Sequence, residues 1–156
     1  MRERQLRRRC RALLRELDVP APFGPRELCR RLAQHRGRPI RLVPFAIEQP
    51  GPFGIWFATD AADVIVYQSQ TTPAHQEHII LHEVGHIIAG HDGEPRLRTA
   101  YDSRPEWEAE LIATILHEWA GRGDGLGEAA AQAADPNRQA ALERIGHALS
   151  GGGGWS

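Results

Sequence analysis

The run Thr72–His91, TPAHQEHIILHEVGHIIAGH, decides how the rest of the chain is read. Thr72 is a natural N-cap, and Pro73 fits the first helical position, where its missing amide donor costs nothing. Gly90 suits the left-handed C-cap that ends a helix. A helix is therefore expected from Pro73 to about Ala89. Ile80, Val84 and Ile87 fall about 140–200° around its axis from His82, so one side is apolar while the other shows histidines. Of the eight histidines in the chain, three lie within Leu81–His91, together with a glutamate.

His82-Glu83-Val84-Gly85-His86 is an H-E-x-x-H motif. Residues four apart on a helix sit about 40° apart around the axis, so His82 and His86 offer two imidazole nitrogens to one tetrahedral zinc. Glu83 lies about 100° round, beside the metal position, where a general base belongs. A catalytic zinc takes a third protein ligand. The candidates are His78, His91, His117, Glu106, Glu108 and Glu110. On a helix expected from Pro105 to Gly121, Glu108 shares its face with Ile112, Ile115 and Trp119. Glu106 and Glu110 lie about 160° away and are expected to face water. A carboxylate on the core side is costly unless it is paired or ligates a metal, which favours Glu108 as the third ligand. His91 falls past the helix end and is expected near the cleft, as a residue supporting the ligands or the oxyanion. Tyr101 is a second candidate for that role. His35, His75, His117 and His147 are assigned no chemistry.

Outward from the motif, the expected fold is α+β. Residues 3–17 read as an amphipathic helix with Leu6, Cys10, Leu13, Leu14 and Leu17 on one side, ended by Val19-Pro20-Ala21-Pro22. Pro25 opens a second helix to about His35, closed by Gly37. Pro39–Phe45, Phe53–Thr59 and Val64–Gln68 are rich in Ile, Val, Phe and Trp and read as a small, three-stranded, mostly antiparallel sheet. The H-E-x-x-H helix then packs against the glutamate-bearing helix across a polar loop, 91–103. Asp135-Pro136 caps a C-terminal helix. The 156 residues suggest one domain over 1–150, with a basic helical part at 1–36, a flexible connector at 121–127 and a disordered tail at 151–156.

Composition is that of a soluble globular protein. No apolar run approaches the ~20 residues a membrane span needs, and the arginine-rich N-terminus lacks a signal peptide's apolar region. Cys10 and Cys29 sit on apolar helix faces and read as buried free thiols in a reducing cytoplasm. Charge is unevenly placed: residues 1–41 hold 13 arginines against 4 acids, and residues 42–156 hold 6 against 16. The basic half is expected to pair with the acidic half, to stay solvated, or to steer an acidic partner. No helix-turn-helix or zinc-finger pattern is present, so direct nucleic-acid binding is not expected.

H-E-V-G-H-I-I-A-G-H, followed about twenty residues later by E-W-E-A-E-L-I-A on a helix, resembles the ImmA/IrrE family of metallopeptidases, a branch of the gluzincin-type zinc proteases. The order of elements over roughly residues 5–120 is similar too. The resemblance implies zinc held by His82, His86 and Glu108, with Glu83 as general base. Manganese or iron(II) suits the same donor set. It also implies a protein substrate, a helix-turn-helix repressor whose cleavage relieves repression. This chain departs from the family in its E-A-E step, where many members carry Asp or Asn after E-A. The function expected is a cytoplasmic zinc endopeptidase. The alternative is a zinc-bearing regulatory or toxin-type protein that binds its regulator without cutting it.

Overall fold

A computed structural model of the chain describes residues 3–90 and 103–121. The elements run α1 (Glu3–Leu17), α2 (Pro25–Arg36), β1 (Ile40–Phe45), β2 (Gly54–Ala58), β3 (Asp63–Gln68), α3 (Pro73–Ala89) and α4 (Ser103–Trp119). This is the expected α+β order of two helices, three short strands and two further helices. The C-terminal helix after Asp135-Pro136, the connector beyond Gly121 and the tail 151–156 lie outside the described residues. Among the described residues, no helix is long and apolar enough to cross a membrane.

The helix ends follow from their capping residues. Gly37 adopts φ 68°, and the amides of Gly37 and Arg38 bond back to Gln34 and Ala33, a Schellman closure of α2. In α3 the Thr72 hydroxyl accepts from the His75 amide at 3.2 Å, and Gly90 closes the far end at φ 75°.

The sheet is mixed. Its order is β1-β3-β2, with β2 antiparallel to β3 and β1 parallel to it. Antiparallel pairing thus holds for the tight β2–β3 hairpin and fails for β1. The reason is non-local. After β1 the chain crosses the end of β3, where Gln68 clasps the Ile47 backbone from both sides, accepting from its amide at 3.1 Å and donating to its carbonyl at 2.7 Å. The chain then returns as β2 on the far side of β3. Central β3 is buried throughout, and its side chains alternate between two layers. Ile65 and Tyr67, with Trp56 of β2, join the main core built from all four helices. Val64 and Val66, with Ile55 and Ile47, form a smaller cluster on the other face.

Part of the N-terminal charge is paired within the fold. Buried Asp63 accepts from Arg36, from Arg38 at 3.2 Å and from the Trp56 indole at 3.1 Å. Arg30 and Arg31 pair with Glu27, and Arg7 of α1 reaches Glu118 of α4 at 3.1 Å. Arg4, Arg8, Arg11 and Arg15 instead form an exposed ridge along α1, opposite its buried Leu6, Cys10, Leu14 and Leu17. Both cysteines are buried free thiols; burial pushes Cys10 up to about 11 and Cys29 up to about 12, which keeps them out of thiolate chemistry.

Helices α3 and α4 meet at a close crossing that small residues permit. A Cβ added at Gly85 would stand 2.5 Å from the Ala109 carbonyl oxygen and 3.0 Å from its Cα. Both obstacles are backbone, so the helices themselves would have to part. Gly85→Ala should lower stability by about 1–3 kcal/mol, the usual cost of overpacking a core. Urea unfolding of the metal-free protein measures this; an unchanged midpoint would show that the crossing has slack.

Candidate metal centre

The crossing of α3 and α4 positions the site. His82 and His86 flank Gly85 on α3, and Glu106 lies one turn before Ala109 on α4. Donor atoms of His82, His86 and Glu106 all fall within 4.8 Å of one another. The Glu106 carboxylate lies between the two imidazoles, with Oε2 3.1 Å from His82 Nε2 and Oε1 3.4 Å from His86 Nε2. The two rings stand nearly perpendicular, at 80° with centroids 5.0 Å apart. His86 is fully buried and stacks at 15° on the Trp56 indole, which holds its plane.

Glu106, not Glu108, joins the histidines. Glu108 faces Arg104 instead, at 3.5 Å across one turn of its own helix. The expectation that Glu106 faces water is thus corrected: its exposure is 6%. The cause lies in how α4 is buried. The stripe of Ile112, Ile115 and Trp119 takes one side into the core, and Glu108 follows it. The stripe Glu106, Ala109, Glu110, Ala113 and His117 occupies another side, where small alanines let α4 press against α3. A search for bulky apolar residues finds the first stripe and passes over the second. The sequence signal for it was available: Gly85 on one helix, Ala109 and Ala113 on the other, and carboxylates one turn apart at 106 and 110.

Glu110 is the second residue that sequence reasoning left in solvent. Its Oε2 accepts from His82 Nδ1 at 2.9 Å. His82 therefore has a carboxylate at each ring nitrogen. Burial alone would lower its proton affinity, but Glu106 and Glu110 outweigh it and push the pKa up to about 10. Burial likewise favours neutral carboxyls, yet His82 and His86 hold Glu106 far below the usual carboxylate range. Burial would raise Glu110 as well, but the neighbouring His78 and His82 imidazoles hold it down at about 2. Such a cluster demands positive charge: an imidazolium at His82, or a metal dication whose binding displaces that proton.

Glu83 points to the second of these. It is 2% exposed, and its Oε2 has no hydrogen-bond partner among the described residues. A buried carboxylate oxygen with no donor is costly, and a site that receives a polar ligand there relieves the cost. Gly54, at the start of β2, makes room for it. A Cβ at Gly54 would stand 3.2 Å from Glu83 Oε1 and would collide with Ile79 Cγ2. Two imidazoles, a carboxylate and an adjacent unsatisfied carboxylate fit a zinc ion with its own exchangeable ligand. The same donors accommodate manganese or iron(II). His91 and Tyr101 lie outside the described residues.

No family model, curated protein or solved structure matches the chain.

Proposed function

We propose that this chain is a zinc-dependent endopeptidase that cuts a protein substrate, a helix-turn-helix repressor being the class its sequence resemblance implies. The observation that carries this reading is Glu83, a buried carboxylate with an oxygen that has no partner among the described residues, beside the His82–His86–Glu106 donor set. A site that only held the fold together would need no base there, and structural zinc takes a closed set of four protein ligands.

His82, His86 and Glu106 would hold the ion. When bound, zinc supplies Lewis acidity, lowering the pKa of water toward about 7 and polarising a carbonyl. Glu83 accepts the proton of the water that attacks the peptide carbonyl and later passes it to the departing amine. Glu110 keeps the Nδ1 proton of His82 engaged, which leaves Nε2 for the ion. Among the described residues β2 has a strand on one side only, and its first residue, Gly54, adjoins Glu83. An extended substrate segment pairing with that edge by main-chain hydrogen bonds would pass in front of the base. The arginine ridge of α1 gives an acidic partner an electrostatic landing surface.

The test is intact-mass spectrometry of any helix-turn-helix regulator encoded beside this chain's gene, incubated with zinc-loaded protein. Two fragments summing to the regulator plus water are expected from the wild type and not from Glu83→Gln. An intact regulator that still forms a stable complex with both proteins would replace the peptidase with a zinc-bearing binder.

A further inference from the structure

The donor set does not end at Glu110. Glu110 Oε1 lies 3.3 Å from His78 Nε2, and His78 Nδ1 lies 2.9 Å from His117 Nε2. The rings of His78 and His117 stack at 11° with centroids 5.0 Å apart. Starting from His82, the chain of contacts therefore runs to Glu110, His78 and His117, all within the seam between α3 and α4. His78 is 7% exposed, and its Nε2 has no formed hydrogen bond among the described residues, so this costly buried polar atom has the Glu110 carboxylate, 3.3 Å away, as its facing acceptor.

With Nε2 of His82 given to the ion, the proton assignments follow in order. His82 Nδ1–H donates to Glu110 Oε2. Oε1 of the same carboxylate then faces His78 Nε2, which must carry a proton, since a lone pair there would repel the anion. His78 Nδ1 is left as an acceptor, and His117 Nε2–H donates to it. The His82–Glu110 and His117–His78 contacts each set a donor against an acceptor, and His78 Nε2 faces Glu110 Oε1 at 3.3 Å. Reversing the tautomer of His78 sets a lone pair against the carboxylate and an N–H against an N–H.

We infer that His78 is a positioning residue for the metal centre, orienting Glu110 against His82, with His117 fixing the tautomer in which it does so. This rests on the metal-centre reading above and adds two histidines to it. Without the His78 donor, Glu110 keeps one engaged oxygen and is free to swing, and His82 loses the partner that sets its ring plane and basicity. Outer partners of this kind typically alter metal affinity by about 10–100-fold.

The experiment measures zinc affinity by chelator competition and the cobalt(II) d–d absorption spectrum. The proteins are wild type, Glu110→Ala, His78→Leu, His78→Gln and His117→Leu, and urea melts of the metal-free forms report folding. Affinity should fall by about 10–100-fold in Glu110→Ala and by about tenfold in His78→Leu, with a smaller loss in His117→Leu. The cobalt spectra should shift in the same order. His78→Gln should restore most of the affinity, because its amide N–H reaches about where the Nε2–H stands. That rescue separates positioning from packing, since leucine fills the seam at least as well as glutamine. Should His78→Leu fail to fold, the glutamine and His117→Leu variants carry the decision. Wild-type affinity and an unshifted spectrum in the folded His78 and His117 variants would overturn the inference while leaving the peptidase intact. Zinc binding that follows the expected order, with no cleavage of any substrate, would sink the peptidase and keep the inference. A wild type that holds no zinc would remove both.

Discussion

Glu106→Gln should lower zinc affinity by more than about a hundredfold, beyond what loss of an outer partner typically costs, while Glu108→Gln should leave it within about twofold. The two residues are one turn-half apart on the same helix and carry the same side chain, so the comparison isolates position from chemistry. Glu106 places one oxygen 3.1 Å from His82 Nε2 and the other 3.4 Å from His86 Nε2. Glutamine there keeps the shape but removes the negative charge that a dication needs, leaving two neutral imidazoles. Glu108 faces the exposed Arg104 across one turn of α4 and lies outside the donor set, so its charge is not one the ion would lean on. Chelator competition on the two metal-free proteins decides the matter. Loss of affinity in Glu108→Gln with Glu106→Gln unaffected would move the third ligand back to the residue the apolar stripe favours, and would require α4 to turn about its axis.

Glu83→Gln should reduce kcat for peptide cleavage by about 10²–10⁴-fold, the usual contribution of a general base, with zinc affinity changed by no more than a few-fold. Glu83 is not among the three clustered donors, which is why binding survives. Its Oε2 is buried without a hydrogen-bond partner among the described residues and is the oxygen left to take a proton, which is why chemistry does not. The glutamine amide is neutral, fits the space beside Gly54 and cannot accept the proton. Single-turnover cleavage at saturating zinc, read beside the bound-metal content of each protein, separates the two effects. Full activity in Glu83→Gln would remove this residue as the base, and loss of zinc would make it a ligand.

Local physical chemistry made much of the fold legible in the sequence. Thr72, Pro73 and Gly90 mark α3 because capping depends on a few neighbouring residues, and the helix spans the residues those signals bracket. The strands begin and end within a residue of the apolar runs that suggest them. His82, Glu83 and His86 were legible for the same reason: residues one and four apart on a helix have a relative direction that needs no tertiary information.

Whatever depended on two distant segments meeting was decided by the tertiary structure alone. The parallel pairing of β1 follows from a crossover held by Gln68 and Ile47, which no periodicity records. The choice of Glu106 over Glu108 follows from the helix crossing at Gly85 and Ala109. Periodicity divides α4 into faces, but it does not say which face meets which neighbour, and here two faces are buried for different reasons. His78, Glu110 and His117 came into view for the same cause: each is an ordinary polar helical residue until the other helix is laid against it. The sequence by itself determined the helix that carries His82, Glu83 and His86. Packing of a second helix through glycine and alanine determined which carboxylate completes the site, because the approach of two backbones is set by the smallest side chains between them and not by the largest.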